Sequence, residues 1–198
     1  MTENTTTVVR AAVPGDVGAL HGLVARASVP TLRRRFHGAG DRIVRREIDR
    51  IAHPSVAHRS WVAVSSDGAV RGTATLAAGH DGTVEAAFLV EDAWFRRGVG
   101  RALFRALAAE AACAGVPTVL ARVQADNERA IRFLRSLRTG VDARFVGDGE
   151  VEVVVPVPAV DRRLAPVASV ATPARTATTA PASTSDAAPC PPLVVEAA

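Results

Sequence analysis

One stretch, residues 88–103, constrains the fold of this chain more than any other. An apolar strand pattern runs into a loop with glycines at positions 98 and 100, and the loop leads directly into a helical pattern. Closely spaced glycines let the backbone turn tightly so that several N–H groups converge, and the positive end of the helix dipole adds its field. Such a junction is suited to binding an anion, and we expect the ligand to be a diphosphate.

Other phosphate loops also use glycines, and the neighbouring residues separate them. A dinucleotide-binding fingerprint requires a third glycine three residues after Gly100, where Leu103 stands. A P-loop requires the sequence Gly-Lys-Ser/Thr, and this chain contains no lysine. Judged from this segment alone, a glycine-rich loop that only reverses the direction of the chain, without binding an anion, is an alternative.

The composition indicates one globular domain with an appendage. Of the 198 residues 48% are apolar, which is enough to bury one core. The net charge of +4 comes from arginine without lysine. This charge suits acidic or phosphate-bearing partners, but it is modest for a dedicated nucleic-acid binder.

Cysteine usage and the N-terminus bear on the compartment. Cys113 and Cys190 show neither a disulfide framework nor metal-ligand spacing, so we expect a reducing environment and no metal site. The N-terminus has no basic and apolar leader, and no apolar run is long enough to cross a bilayer. We therefore expect a cytoplasmic protein without a membrane partner.

The hydrophobic periodicity predicts alternating strands and helices up to residue 157. Strand patterns occur at 8–13, 61–64, 69–76, 83–90, 117–123, 143–146 and 151–155. Helical patterns begin at Pro14 and cover 31–51, in one or two pieces with a break at 38–40, then 99–114 and 127–137. This order predicts a mixed sheet with helices packed on it.

The pattern changes beyond residue 157. Pro, Ala, Thr and Ser dominate there, with no periodic apolar face to bury. We expect residues 158–198 to form a disordered tail, in which Leu193–Val195 alone are apolar enough to dock on the domain.

A second motif adds to the glycine loop. The loop Arg96-Arg-Gly-Val-Gly-Arg101 and the later Ala125-Asp-Asn-Glu-Arg-Ala-Ile-Arg-Phe133, in this order and spacing, resemble the acetyl-CoA-binding half of GNAT-family N-acetyltransferases. Segments 10–16, 27–36 and 85–90 are similar to the bacterial protein lysine acetyltransferase (Pat-like) branch. The resemblance covers residues 7–157. It implies an α/β (α+β) fold with a mixed, mostly antiparallel central sheet flanked by helices.

The resemblance also implies where acetyl-CoA, the co-substrate, would bind. The strand with Phe88, Leu89 and Val90 would splay from the next strand near Val119, so that the pantetheine arm inserts like a short strand. A backbone N–H near Leu89 or Val90 would bond the thioester carbonyl. The other implied contacts are Arg96, Arg97, Gly98, Val99, Gly100, Arg101, Asn127 and Phe133. Asn127 also suits a helix N-cap, and Phe133 also suits the core.

Two positions depart from the family pattern. Phe95 stands three residues before Gly98, where the family usually has Gln or Arg, and we expect it to weaken an anchoring contact without abolishing the backbone cradle. Leu134 stands where many members have a tyrosine that protonates the leaving thiolate, and the chain contains no tyrosine. A tyrosine general acid is therefore excluded, and water is left to supply that proton.

Transfer of an acyl group to an amine requires a base, because an alkyl ammonium with a pKa near ~10.4 is protonated at neutral pH. Glu85 is the candidate, since it lies on the strand that enters the loop and matches the glutamate regarded as the base in the lysine acetyltransferase branch. A solvated strand carboxylate is the alternative. His80 and Asp81, in a turn, are further candidates for base or substrate contacts.

The arginine-rich region 31–51 has two interpretations. Its arginines alternate with regularly spaced apolar residues, which is typical of arginines on the solvent-exposed face of amphipathic helices. In the family, residues 28–51 shape the acceptor site, so an acidic protein or an anionic small molecule is a second interpretation.

The implied activity is transfer of acetyl from acetyl-CoA to a primary amine, on a protein lysine or a small molecule, by direct attack. A catalytically weak acyl-CoA-binding sensor or recruitment module is an alternative, favoured by Phe95 and the missing tyrosine. An arginine-rich nucleic-acid binder is another, but interleaved aromatics are missing and we expect no nucleic-acid partner. Monomer and homodimer both stay open.

Overall fold

One mixed sheet organises the chain. The computed structural model describes residues 7–38, 40–79, 82–157 and 195–196. Within these residues the strands are β1 (Thr7–Ala11), β2 (His58–Ser65), β3 (Val70–Ala78), β4 (Val84–Val90), β5 (Thr118–Gln124), β6 (Asp142–Gly147), β7 (Glu150–Pro156) and β8 (Val195–Glu196). Their order across the sheet is β6-β7-β5-β4-β3-β2-β1-β8. The β4–β5 pair is parallel and the other pairs are antiparallel, which confirms the predicted fold class.

The helices lie close to the predicted positions. They are α1 (Val17–Arg26), α2 (Val29–Phe36), α3 (Asp41–Ala52), α4 (Val99–Cys113) and α5 (Glu128–Arg135), and a 3₁₀ turn (Pro14–Asp16) precedes α1. The region 31–51 forms two helices, as the pattern allowed. The first ends at His37, whose φ of 52° places it in the left-handed conformation, and Gly38 follows with a φ of 74°.

The two faces of the sheet carry separate apolar clusters. Alternate residues of a strand point to opposite faces. On one face α4 and α5 pack against residues such as Trp61, Ala74 and Val153. On the other face α1, α2 and α3 pack against Val62 and Leu89. Strand β4 contributes Ala86 to the first cluster and Leu89 to the second, so an opening beside β4 adjoins both clusters.

Close packing places the start of α4 against β3 and β4. Leu103 and Leu107 are fully buried on α4, and burial of such a side chain stabilises the fold by about 1.5–3 kcal/mol. A Cβ atom at Gly72 on β3 would lie 3.0 Å from the Leu89 carbonyl oxygen and 3.2 Å from Leu103 Cδ1. The missing side chain at Gly72 therefore allows the three elements to meet where the glycine loop begins.

The chain terminus returns to the sheet edge. Val195 and Glu196 pair with Val9 and Val8 of β1, at the edge opposite to β6. The rest of the predicted tail lies outside the described residues, so its disorder stays a prediction. Among the described helices, none has the length and apolar character needed to cross a membrane.

Candidate active site

A cleft of about 660 Å³ opens where β4, β5, α2, α4 and α5 meet. Ten of the residues singled out in the sequence line it: Glu85, Phe88, Leu89, Val90, Arg96, Gly98, Gly100, Arg101, Asn127 and Phe133. Two others do not line it. Val99 is buried at the base of α4, and the guanidinium of Arg97 lies 5.3 Å from the centroid of the Trp94 ring.

The cleft exists because β4 and β5 separate. Within the described residues, the two strands pair in register only at Glu85 and Leu120. On the other side of β4, the Glu91 N–H donates to the Arg71 carbonyl at 2.8 Å. Because backbone groups alternate along a strand, the N–H and C=O groups of Phe88 and Val90 then face the gap, whereas those of Leu89 face β3. The predicted splaying is present, and it favours Val90 over Leu89 as the exposed donor.

The glycine loop presents free N–H groups to one end of the cleft. Gly98 is the N-cap of α4 and has a φ of 82°, a conformation that residues with a Cβ rarely adopt. No side chain caps the helix there, and the N–H groups of its first turn have no intrahelical acceptor. Arg96, itself at a φ of 61°, and Arg101 line the same end. Backbone dipole and arginine charge both favour an anion at this position.

An aromatic pair forms one wall of the cleft. The Phe133 ring meets the Phe88 ring edge to face, with centroids 5.9 Å apart and an angle of 80°. The same ring lies so close to the loop that a Cβ atom at Gly100 would sit 3.1 Å from Phe133 Cζ. A glycine at position 100 therefore leaves room for the Phe133 ring, in addition to letting the backbone of the loop turn. Asn127 caps α5, because its Oδ1 accepts a hydrogen bond from the Ala130 N–H at 3.2 Å.

The two departures from the family pattern both face this cleft. Phe95 supports the guanidinium of Arg129, which lies 4.4 Å from the ring centroid. Arg129 lines the cleft and thus brings from α5 a positive charge that position 95 lacks. The sequence analysis missed Arg129, because no local pattern links it to Phe95. Leu134 also lines the cleft and is 3% exposed, so no hydroxyl is available there.

Glu85 has a partner that the sequence analysis did not identify. Arg122 Nη1 lies 2.8 Å from Glu85 Oε1, and both side chains are about half exposed. The register explains the contact. Glu85 is opposite Leu120, and Arg122 lies two residues further along β5 on the same face. Alternation along β5 could have signalled this pairing, but only if the register was known. His80 and Asp81, the other candidate bases, lie outside the described residues.

Helix α2 forms the opposite wall of the cleft and is tied to the glycine loop at its start. The carboxylate of Asp92 accepts hydrogen bonds from Ser28 N–H, Ser28 Oγ and Thr31 Oγ1, each at 2.8 Å. Burial opposes the charge on Asp92, but these three donors outweigh it and hold the pKa of the carboxyl below its usual value. The neighbouring Glu91 is buried between Arg26 and Arg71.

The other end of α2 reaches across to β7 and to the loop before α5. His37 Nδ1 lies 2.9 Å from Glu150 Oε1, and Arg34 Nη2 lies 3.7 Å from Asp126 Oδ2. Both contacts are partly exposed, so each adds little stability. They nevertheless define the position of α2 over the gap between β4 and β5.

Beneath α2 lies a buried group of charged side chains. Arg35 donates to Glu47 Oε1 at 3.1 Å, while its Nε–H has no hydrogen-bond partner. Burial lowers the pKa of Arg35 despite the nearby Glu47 carboxylate. Burial likewise lowers the pKa of His58, which lies on β2 below this pair. The Arg35–Glu47 contact therefore joins α2 to α3.

A family model now accounts for this arrangement. The model of the acetyltransferase (GNAT) family matches residues 29–137, which is more than half of the chain. The chain belongs to the GNAT acetyltransferase family. The match confirms the family-level resemblance and the expected class of enzyme, an acyl-CoA-dependent N-acyltransferase. Among curated proteins, no match was found.

Solved GNAT structures share the fold. The GNAT domain of PAT from S. lividans is 25% identical, with a TM-score of 0.69 over 76% of this chain and 90% of that one. The putative acetyltransferase yncA from Salmonella typhimurium, solved with acetyl-CoA, is 21% identical, with a TM-score of 0.58 over 77% and 94%. A phosphinothricin acetyltransferase from Sinorhizobium meliloti, in complex with AcCoA, is 18% identical, with a TM-score of 0.60 over 76% and 88%. The last two support the fold alone.

Proposed function

We propose that this protein is an acetyl-CoA-dependent N-acetyltransferase in which an amine attacks the thioester directly. The observation that carries the proposal is the gap between β4 and β5, which runs from the free N–H groups at the start of α4 to the carboxylate of Glu85. This gap suits a long ligand that has a diphosphate at one end and a reactive group at the other. Family membership supports the same activity.

The residues of the cleft suit the separate parts of acetyl-CoA. The first-turn N–H groups of α4, with Arg96 and Arg101, would hold the diphosphate. The backbone groups of Phe88 and Val90, which face the gap, would bond the pantetheine amides. Phe133 would pack against the arm. Arg129 supplies a further charge at this end, and it offsets the contact that we expected Phe95 to weaken.

Bound acetyl-CoA supplies the acetyl group as an activated thioester. Glu85 would accept the proton of the incoming ammonium, directly or through water, so that the nitrogen lone pair becomes available. The Val90 N–H would donate to the acyl carbonyl oxygen as its negative charge grows. The N–C bond forms as the C–S bond breaks. The thiolate takes its proton from water, because Leu134 offers none.

The acceptor in this proposal is a primary amine, on a protein lysine or a small molecule. The 25% identity to the GNAT domain of PAT favours the Pat-like branch and hence a protein lysine.

Two measurements on the wild-type protein test the proposal. Calorimetry should show acetyl-CoA binding, and a thiol-release assay should show coenzyme A production that depends on an added amine, with lysine peptides and small amines as a panel. Binding without turnover for every amine would replace the enzyme by the sensor or recruitment module. Absence of acetyl-CoA binding would refute both.

A further inference from the structure

The charges that line the cleft are strongly unequal. Among the described lining residues, Glu85 is the sole carboxylate. Six arginines line the same cleft: Arg34, Arg35, Arg96, Arg101, Arg122 and Arg129. Arg96, Arg101 and Arg129 lie at the end with the glycine loop, where phosphates require positive charge. Arg122, which contacts Glu85 at the other end, has no such explanation.

One partly exposed arginine lies at the Glu85 end. Arg122 is 47% exposed and has its guanidinium on Glu85. Arg34 is 39% exposed, but it contacts Asp126, which lies just before the start of α5. Arg35, by contrast, is mostly covered and is bound to Glu47. A positive site therefore adjoins the one carboxylate that would receive the amine.

We infer that the acceptor is an amine that carries a carboxylate close in space to its nucleophilic nitrogen. This inference rests on the proposed function. On binding, the acceptor ammonium takes the place of Arg122 on Glu85, and the acceptor carboxylate pairs with the released guanidinium of Arg122. One ion pair is exchanged for two, so that neither protein charge loses its partner. An amine without the carboxylate would leave Arg122 unpaired beside the incoming ammonium.

The sheet contains a matched ion pair outside the cleft. Arg144 on β6 contacts Glu152 on β7, with Nη2 and Oε1 2.7 Å apart, and Arg144 does not line the cleft. Like Arg122, Arg144 is a partly exposed arginine on a cross-strand ion pair. If the Glu85–Arg122 pair were an ordinary surface pair, loss of either arginine would have the same small effect.

Two sources could supply the required chemistry, namely a free amino acid or a peptide lysine flanked by acidic residues. The test therefore has two arms. In the first, kcat/KM is measured for L-alanine, L-leucine and L-phenylalanine against their carboxamides. In the second, an N-acetylated peptide with a central lysine between two glutamates is compared with the same peptide carrying glutamines. Carboxamide amines lose their proton more easily, which works against the expected preference.

We expect the wild type to favour the carboxylate-bearing member of at least one arm by about tenfold to hundredfold, the worth of a charge-assisted hydrogen bond. Arg122→Gln should abolish most of that ratio, chiefly through KM, and Arg122→Lys should restore part of it. Arg144→Gln should leave the ratio unchanged. The arm that shows the preference identifies the source.

Equal kcat/KM within every pair would overturn the inference, and so would a ratio that persists in Arg122→Gln. If no amine is turned over, calorimetry on the coenzyme A complex decides. Binding of a free amino acid but not of its carboxamide, or of the glutamate-flanked peptide but not of the glutamine peptide, would support the inference and refute acetyl transfer. Binding of neither would overturn it.

Discussion

The two ends of the cleft are built in different ways. The end with the glycine loop uses backbone N–H groups, the left-handed conformation of Gly98 and the packing of Phe133 on Gly100. The end with Glu85 uses side chains from distant elements, since Glu85 on β4 pairs with Arg122 on β5. The first end depends on residues close together in sequence, and the second on residues brought together by the sheet.

This difference has a chemical counterpart. A diphosphate is recognised by groups that every chain possesses, once glycines let the backbone turn. An acceptor is recognised by particular side chains, and these can change without disturbing the loop. We therefore expect variants at the two ends to separate acetyl-CoA binding from amine transfer.

The largest expected effect lies at Glu85. Glu85→Gln should lower kcat/KM by about 10²-fold to 10⁴-fold, the usual contribution of a positioned base, while acetyl-CoA affinity stays the same. The defect should shrink as the pH approaches the pKa of the amine, because solvent then removes the proton. Steady-state kinetics across pH, with calorimetry for binding, measures both effects.

Glu110→Gln serves as the control, because Glu110 on α4 also pairs with an arginine, Arg59, and lies outside the cleft. It should keep wild-type kinetics. Wild-type activity of Glu85→Gln at neutral pH, with chemistry rate-limiting, would remove Glu85 from its role and turn attention to His80 or Asp81.

The next largest effect should come from the backbone end. Gly98→Val should weaken acetyl-CoA binding about tenfold or more, because a residue with a Cβ pays about 1–2 kcal/mol in the left-handed conformation and the loop would shift to escape it. Calorimetry measures the affinity. Gly68→Val is the matched control, since Gly68 has a similar φ of 79° in the β2–β3 turn. Unchanged affinity in folded Gly98→Val would contradict the assignment of the loop to the diphosphate.

Asp92 ties the start of α2 to the glycine loop, and its effect should be smaller. Asp92→Asn should lower the free energy of unfolding at pH 7 by about 1 kcal/mol, since the hydrogen bonds from Ser28 and Thr31 lose a charged acceptor. It should raise the KM for the amine more than it weakens acetyl-CoA binding. Chemical denaturation and steady-state kinetics measure these changes.

The same variant has a pH signature. The folded protein holds the pKa of Asp92 below its usual value, so this stabilisation is present above the unfolded pKa near ~3.9 and is lost as the pH falls through the folded value. Asp92→Asn should flatten the loss of stability in that acidic range.

The smallest effect is expected where α2 meets β7. His37→Gln should change the free energy of unfolding by only a few tenths of a kcal/mol, because the pair with Glu150 is partly exposed. Acetyl-CoA affinity should not change, while the KM for the amine should rise modestly. A loss of acetyl-CoA affinity as large as that of Gly98→Val would show that the end of α2 contributes to acetyl-CoA binding.

Several features could be predicted from local pattern because their causes are local. The strand, loop and helix around Gly98, the break between α2 and α3 at Gly38, and the cap of α5 at Asn127 each depend on a few neighbouring residues. The absence of a tyrosine is a property of the sequence alone. These features also identify the family, since its motif lies in the same local segments.

Other features were decided only by the tertiary structure. Arg122 reaches Glu85 because β5 lies parallel to β4 with Leu120 opposite Glu85, and Arg129 reaches Phe95 because α5 returns over the loop. Val90 rather than Leu89 faces the gap because the hydrogen bond of Glu91 to β3 sets the alternation along β4. The sequence determined the phosphate-holding end, since backbone turns and caps are short-range. Register and helix docking, which depend on the whole packed sheet, decided which charges surround the amine.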